Sequence, residues 1–107
     1  MNKLFAETPK APYYAVIFTS KRNEGHTDEY DEETQKMITL LADQEGFLGF
    51  ETASKEIGIT ISYWKDIAAI MAWRNNLGHL AAQKKGKESF YETFKVRIAK
   101  VERDYSF

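Results

Sequence analysis

The stretch from residue 45 to residue 66 constrains the fold of this chain most, because it carries two apolar segments around one short polar segment. Phe47 to Ala53 predicts one β-strand and Ile57 to Trp64 predicts the next, since β-branched and aromatic residues favour strands. Ser54 to Glu56 is polar and predicts the turn between them. The stretch therefore predicts a hairpin, which leads into a helix that could form the wall of a pocket.

The second strand of this hairpin divides its residues cleanly, because successive side chains point to opposite sides of a strand. One face carries the large side chains of Ile57, Ile59, Ile61 and Tyr63. The other face carries Gly58, Thr60, Ser62 and Trp64. The second face is smaller and more polar, which predicts the side on which a helix packs closely or a ligand lies.

The residues before the hairpin predict a strand and a helix. Tyr13 to Ser20 is β-branched and aromatic, which is typical of a strand that is largely buried on both faces. After a polar loop, Thr27 or Asp28 can cap a helix that ends before Gly46. The side chains of this helix recur at the spacing of one helical face, at Tyr30, Thr34, Met37 and Leu41.

The residues after the hairpin predict a second helix and a last strand. Asp66 can cap the helix, whose apolar face comprises Ile70, Trp73, Leu77 and Leu80. A break into two short helices is expected at the weak helix formers Asn75, Asn76 and Gly78. Residues 90–105 predict the last strand, with a bulge near Ala99 and Lys100 because Val101 interrupts the preceding alternation.

The predicted order is β-α-β-β-α-β, which is the ferredoxin-like plan of the α+β class. This plan gives a four-stranded antiparallel sheet with both helices on one face. At 107 residues the chain predicts a single domain over residues 13–107, preceded by an arm at residues 1–12. The uncovered face of the sheet predicts a homodimer, since a second copy of the chain is the simplest cover.

Composition narrows the partners and the location that are expected. The net charge of −1, from 15 basic and 16 acidic residues, gives no electrostatic reason to bind nucleic acid or an anionic membrane. The chain has no cysteine, which excludes disulfides and thiolate chemistry. It has no signal-peptide pattern and no apolar run near the ~20 residues that span a bilayer, so a cytoplasmic location is expected.

With this order of elements, the chain resembles the antibiotic biosynthesis monooxygenase family of the dimeric α+β barrel group. The resemblance rests on the run QEGFLGFE at residues 44–51, the run SYWKD at residues 62–66, and the following helix with Trp73 and His79. It covers residues 12–105. It implies a homodimer whose two sheets pack face to face, with a pocket in each copy between the sheet and the helices.

The resemblance also implies a cofactor-independent monooxygenase that acts on a quinol or polycyclic phenol. Such a reaction needs a base for the phenolic proton, donors for the developing charge and flat aromatic walls. The catalytic candidates are His79, since imidazole readily exchanges a proton near neutral pH, and Trp73. The substrate-binding candidates are Trp64, Tyr63, Asn75, Asn76 and Arg74. Each also has an ordinary explanation as a packed, capping or surface side chain, and no metal site is expected.

Two alternatives remain open. One is a non-catalytic ligand-binding or stress-response dimer. The other is a haem-binding or haem-degrading protein, as in a related branch that uses a first-strand asparagine, a second-helix tryptophan and a later histidine ligand. Trp73 matches that tryptophan, but Gln83 stands where the histidine is expected and residues 13–20 contain no asparagine. The resemblance therefore implies no cofactor, with haem as the alternative.

Overall fold

A computed structural model describes residues 5–23, 27–83 and 91–107, within which the chain forms a four-stranded sheet and two helices. The strands are β1 (Tyr13–Arg22), β2 (Phe47–Ser54), β3 (Gly58–Trp64) and β4 (Tyr91–Val101). The helices are α1 (Thr27–Ala42) and α2 (Ile67–Gln83). The predicted α+β class and the β-α-β-β-α-β order of the ferredoxin-like plan are confirmed.

The strands run antiparallel to their neighbours in the order β2-β3-β1-β4, and the register assigns the paired residues to one face or the other. Directly paired residues of an antiparallel sheet point to the same face. Tyr14 pairs with Trp64, which packs against residues of both helices, so their face is called the helix side. The adjacent pair, Ala15 and Tyr63, points the other way, to the face called the open side.

The core lies on the helix side, where β3 meets both helices. Its buried members are Leu41, Trp64, Ile70 and Trp73, and the partly buried side chains around them are Tyr14, Val16, Met37, Phe47 and Ala69. The predictions that Leu41 lies on the apolar face of the first helix and Ile70 on the apolar face of the second helix are confirmed. Side chains of several residues named in the predictions lie outside the described part of the chain, namely Thr27, Asp28, Tyr30, Leu77, Leu80 and Phe90.

Helix α2 is continuous, so the predicted break at Asn75, Asn76 and Gly78 is wrong. These residues each disfavour a helix by at most about 1 kcal/mol. The burial of Ile70 and Trp73 in the same helix outweighs that cost. Asn76 also donates from Nδ2 to Oε1 of Gln44 at 2.9 Å, which ties the middle of α2 to the residues that follow α1.

Strand β4 pairs with β1 without interruption through Ala99 and Lys100, so the bulge predicted there is wrong. The register shifts at the opposite end of this strand pair instead. Val101 departs from the apolar alternation of the strand because it points to the open side, where it pairs with the buried Tyr13. The strand ends at Val101, before the predicted end at Tyr105.

Candidate functional site

Two stacked tryptophans form the centre of the helix side. The rings of Trp64 and Trp73 have centroids 6.2 Å apart and an interplanar angle of 29°, and Phe47 meets Trp64 edge-on at 5.4 Å. Trp64 is completely buried and Trp73 is 7% exposed. The Trp64 Nε1–H donates to Oγ of Ser62 at 2.9 Å, so its polar group is satisfied internally. The pair therefore lies inside the core of the helix side and not at its surface.

The start of α2 is fixed against the start of β2. Asp66 caps the helix as predicted, since its Oδ1 accepts the backbone N–H of Ala69 at 2.8 Å. Gly46 has φ = +84°, and a Cβ at this position would lie 2.6 Å from Cβ of Ala69. The backbone N–H of Lys65 also donates to the carbonyl of Gly46 at 2.8 Å. Only glycine combines this backbone conformation with this close approach.

Strand β4 carries apolar side chains on the helix side that remain exposed. Phe94, Val96 and Ile98 pair with alternate residues of β1 and therefore point to the same face as Val16, which packs against the core. Their exposed fractions are 60%, 48% and 48%. These three side chains are called the β4 strip. The β4 strip thus lies on the same face of the sheet as the tryptophan pair and is far more exposed than that pair.

Two aromatic residues adjoin the β4 strip, Phe18 on the neighbouring strand β1 and Tyr91 at the start of β4. The ring centroids of Phe18 and Phe94 lie 5.6 Å apart, and the Tyr91 ring lies 5.3 Å from Phe18 and 6.0 Å from Phe94. Tilted and edge-on contacts between the three rings are arrangements that aromatic quadrupoles favour. The rings therefore form one continuous aromatic surface at the Phe94 end of the strip.

The predicted site residues of α2 are only partly described. Arg74, Asn75 and Asn76 are exposed on the helix, and Asn76 is held by Gln44. The side chain of His79 lies outside the described part of the chain. The structure therefore brings Trp64 and Trp73 together, and it places Arg74, Asn75 and Asn76 at the solvent surface of the same helix.

Tyr63, the remaining predicted site residue, lies on the open side, away from the tryptophan pair. Its hydroxyl donates to Oε1 of Glu51 at 2.7 Å, and Oε2 of the same carboxylate accepts the backbone N–H of Ala6 at 2.9 Å. A Cβ at Gly49, where φ is +142°, would lie 3.1 Å from Cβ of Ala6. Residues 5–12 are thus held closely against β2 at one end of the open side.

A second tyrosine anchors the other terminus beside this contact. The Tyr13 ring meets the Tyr63 ring edge-on, with centroids 5.8 Å apart. The Tyr13 hydroxyl donates to the Asp104 carboxylate and accepts a hydrogen bond from Oγ1 of Thr8 at 3.1 Å. The two tyrosines and their two carboxylates, Glu51 and Asp104, are called the terminal latch. Thr8 and Asp104 thus contact Tyr13 on a face of the sheet that no helix covers in the described part of the chain.

Both phenols of the terminal latch are held in the neutral form. Burial, followed by the hydrogen bond to Glu51, raises the pKa of Tyr63 well above its ordinary value. Burial, followed by the hydrogen bond to Asp104, raises the pKa of Tyr13 in the same direction. At neutral pH both side chains therefore act as hydrogen-bond donors and neither acts as a base.

The residues that the structure describes were compared with two further kinds of feature, a metal-binding cluster and a membrane-spanning helix, and they form neither. Within residues 5–23, 27–83 and 91–107, no group of three or more His, Cys, Asp or Glu side chains is arranged to hold a metal ion. The helical segments in these same ranges include none that is both long and apolar enough to cross a bilayer.

Sequence reasoning did not single out the β4 strip or Glu51 as features of a site. The sequence does contain a pattern that indicates the strip. Its apolar residues alternate with Lys95 and Arg97, which predicts one covered and one hydrated face of the strand. Glu51 could also have been identified, because a carboxylate inside a predicted strand requires hydrogen-bond donors wherever it becomes buried. One donor is Tyr63 of the adjacent strand, and the other is the backbone N–H of Ala6, which depends on the position of the N-terminal arm that no local pattern encodes.

Comparison with known proteins identifies related sequences. The family model described as antibiotic biosynthesis monooxygenase matches residues 13–85, more than half of the chain. An uncharacterized protein of Bacillus subtilis, YqjZ, is 45% identical over 109 residues, which cover 100% of this chain and 95% of that protein. The jasmonate monooxygenase ABM of Pyricularia oryzae is 27% identical over 92 residues, which cover 82% of this chain but 43% of that enzyme.

Solved structures share the fold at lower sequence identity. A crystal structure of SnoaB, a cofactor-independent oxygenase from Streptomyces nogalater, superposes with a TM-score of 0.71 at 14% identity. The superposition covers 88% of this chain and 97% of that one. At this identity the similarity shows the fold, and it agrees with the order of strands and helices described above.

Proposed function

Because the chain belongs to the antibiotic biosynthesis monooxygenase family, we propose that it is a cofactor-independent monooxygenase acting on a quinol or polycyclic phenol. The observation that carries the proposal is the family match over residues 13–85, which spans the elements from β1 to α2 that bound the helix side. The relative from P. oryzae, named as a monooxygenase, supports the reaction class. The aromatic helix side suits a flat ring system.

The chemistry requires no resident cofactor when the substrate itself supplies the electrons. A base removes the phenolic proton, and the electron-rich phenolate transfers one electron to dioxygen. The two radicals combine at a ring carbon, and loss of the hydrogen on that carbon with cleavage of the O–O bond produces a carbonyl. One phenol and one dioxygen thus give one quinone and one water. The protein contributes the base, a dry apolar surface and donors for the anionic oxygen.

The residues of α2 supply the proposed catalytic groups. His79 is the proposed base, and Trp73 with Trp64 shapes the surface beneath the substrate. Arg74, Asn75 and Asn76 are proposed donors to the substrate oxygen, which their exposed positions on α2 allow. A direct role for Tyr63 in substrate binding requires a site on the open side, because that is where its side chain lies.

The proposed active form is a cytoplasmic homodimer in which the open sides of two copies pack together. Members of the family are commonly dimeric. The open side presents Ile17, Ile59 and Ile61 beside the terminal latch, and none of the three is fully buried in one copy. The net charge of −1 gives no support to a nucleic-acid or membrane partner.

The test is oxygen uptake by metal-stripped protein with a panel of naphthols and anthrones. We expect uptake above the spontaneous rate and, with ¹⁸O₂, one labelled oxygen in the quinone product. His79→Ala is expected to lower the rate by roughly 10²-fold or more, as for loss of a general base. The matched control is His26→Ala, since the chain contains two histidines. Its rate should equal that of the unaltered protein.

The contrary outcomes separate the alternative functions. Absence of uptake across the panel, with the fold intact, would overturn the oxygenase and leave a non-catalytic binding dimer. An intense absorption band on titration with hemin, lost in His79→Ala, would support haem binding instead. The sequence argues against the haem alternative, because Gln83 occupies the position expected for the ligand and β1 contains no asparagine.

A further inference from the structure

One hydroxyl group contacts both terminal segments of the described chain. The Tyr13 hydroxyl is bonded at the same time to Thr8 in the N-terminal arm, residues 5–12, and to Asp104 in the C-terminal tail, residues 102–107. We propose that the arm and the tail dock on the open side as one unit, coupled through Tyr13, so that release of either segment loosens the other. This coupling is a conformational property of the open side and does not depend on the proposed reaction.

The register of the sheet brings the two segments to the same place. Strand β1 begins at Tyr13 and strand β4 ends at Val101, and these two residues pair directly. The arm and the tail therefore leave the sheet from adjacent positions. Thr8 lies five positions from Tyr13 along the chain, whereas Asp104 lies 91 positions from it. A single side chain thus joins segments from opposite ends of the sequence.

The chemistry of the two partners determines the direction of both hydrogen bonds. An ionised carboxylate can only accept, so the Tyr13 hydroxyl donates its one proton to Asp104. The lone pairs of the phenol oxygen then remain for the Thr8 hydroxyl, which donates to it at 3.1 Å. A hydroxyl that donates to a charged acceptor is also a better acceptor, because successive hydrogen bonds polarise one another. The bond to the tail therefore orients and strengthens the bond to the arm.

Burial of Tyr13 gives a second reason for coupling. Its side chain is 5% exposed, and its contacts on the open side include Thr8, Asp104 and the edge of the Tyr63 ring. Burial, followed by the hydrogen bond to Asp104, raises the pKa of Tyr13, so the hydroxyl keeps the proton that it donates. Departure of one segment would admit water to this hydroxyl, and water would then compete for the hydrogen bond to the other segment.

A further set of contacts attaches the beginning of the arm to the same pair of tyrosines. The Tyr63 ring lies 5.8 Å from the Tyr13 ring, and the Tyr63 hydroxyl donates to Oε1 of Glu51 at 2.7 Å. Oε2 of Glu51 accepts the backbone N–H of Ala6 at 2.9 Å. A continuous series of contacts thus links Ala6 to Tyr13. The exchange rate of the Ala6 amide proton therefore reports whether the arm is docked.

The two segments are attached by hydrogen bonds more than by apolar burial. Phe5 in the arm and Tyr105 and Phe107 in the tail remain exposed, so their rings contribute little burial within one copy. Single hydrogen bonds contribute modestly to stability, and segments with few buried apolar contacts open more readily than a core. The arm and the tail can therefore detach while the sheet stays folded, which would uncover the end of the open side at Tyr13 and Tyr63.

The experiment measures the order of each segment after the contact of the other has been removed. Asp104→Ala deletes the acceptor in the tail, and we expect the Ala6 amide to exchange roughly fivefold faster or more, as for the loss of one hydrogen bond. Thr8→Val deletes the hydroxyl in the arm with little change of shape, and the ¹⁵N order parameters of residues 103–106 are expected to fall. Tyr13→Phe removes the shared hydroxyl and should produce both effects.

The matched controls are Glu7→Ala and Glu102→Ala, which alter exposed residues of the same two segments outside the terminal latch. Each should change the exchange or order of the opposite segment by less than about twofold. Amide exchange within β1 and β3 should match that of the unaltered protein, which verifies that the sheet is folded in every variant. Measurement at two protein concentrations separates contacts within one copy from contacts between copies.

Any of three results would overturn the inference. The first is an Asp104→Ala variant in which the tail loosens and the Ala6 amide keeps its exchange rate, since the segments would then be independent. The second is a Tyr13→Phe variant in which either segment keeps its order. The third is order that depends on protein concentration but not on these substitutions, which would assign the segments to a contact between two copies. None of these results bears on oxygen uptake, so the proposed reaction is judged separately.

Discussion

The two faces of the sheet are closed by different means. On the helix side, large apolar side chains from both helices and β3 pack around the stacked tryptophans. On the open side, the chain termini are attached by hydrogen bonds to the tyrosines and carboxylates of the terminal latch. Burial of large apolar surface contributes more free energy than a few hydrogen bonds. Packing on the helix side therefore contributes most of the unfolding free energy. The hydrogen bonds between the termini and the open side contribute less.

Loss of the central tryptophan is expected to have the largest effect. Trp64→Ala removes the side chain that contacts Trp73 and Phe47, and the expected cost is about 3–5 kcal/mol of unfolding free energy. Urea denaturation followed by circular dichroism measures it. The comparison variant on the opposite face is Ile59→Ala, expected to cost about 1 kcal/mol at protein concentrations where the chain is monomeric, because this side chain is exposed within one copy. Equal costs would contradict the assignment of stability to the helix side.

A charge placed on the open side tests the proposed contact between two copies. Ile59→Asp is expected to weaken self-association by about 2 kcal/mol or more, since an uncompensated carboxylate would be buried in the interface. Analytical ultracentrifugation over a range of concentrations measures the dissociation constant. Val96→Asp, on the helix side, is the matched control and should leave the dissociation constant unchanged. Loss of association in the control instead would assign the interface to the helix side.

Substitutions at two glycines test how firmly α2 is held on one face of the sheet and the N-terminal arm on the other. Gly46→Ala forces a Cβ against Ala69 in α2, while Gly49→Ala presses against Ala6 in the N-terminal arm. Both positions have positive φ, so both variants carry the same kind of backbone strain. We expect Gly46→Ala to cost about 2–4 kcal/mol and Gly49→Ala about 1–2 kcal/mol, because an arm can shift more easily than a packed helix.

Urea denaturation again provides the measurement for both glycine variants. Gly58→Ala is the control, since φ there is not in the positive region and the nearest atoms are at ordinary contact distance. It should change stability by less than about 1 kcal/mol. If the two strained positions cost the same, the arm is held as firmly as α2, and the difference between the faces is not one of rigidity.

The sequence predicted the parts of this architecture that depend on local pattern. Element order, the faces of β3 and the cap at Asp66 follow from spacing and residue type, and the structure agrees. The break expected at Asn75 and Asn76 was wrong because packing outweighed weak helix propensity. The bulge expected at Ala99 was wrong because Val101 belongs to the other face.

The candidate site was less predictable, for a physical reason. Trp64 and Trp73 were identified from aromatic character, but their burial depends on how two helices pack on the sheet. The exposure of the β4 strip likewise depends on which strands the helices cover. The Glu51 carboxylate that accepts from Tyr63 also accepts from the backbone N–H of Ala6, which is 45 positions away along the chain. Periodicity assigns a residue to a face, and tertiary packing decides whether that face is filled.

Alkaline titration of the terminal latch is expected to give the smallest effect and isolates the open side. The folded-state pKa of Tyr63 is raised above the 10.0 of an ordinary tyrosine, so the folded form holds its proton more tightly than the unfolded form. The resulting stabilisation is present in full below pH 10, and it is lost as the pH rises through the folded pKa. Thermal midpoints should therefore fall above about pH 10.

Substitution of single tyrosines assigns that fall to the latch. Tyr63→Phe should lower stability at pH 8 by about 0.5–1.5 kcal/mol, through loss of the hydrogen bond to Glu51, and should flatten the alkaline decline. Tyr105→Phe, which alters an exposed ring in the C-terminal tail, should retain the full decline. If the two variants lose stability in parallel with the unaltered protein, the alkaline transition belongs to groups outside the latch. The hydrogen bonds of the open side would then make no measurable contribution that depends on protonation.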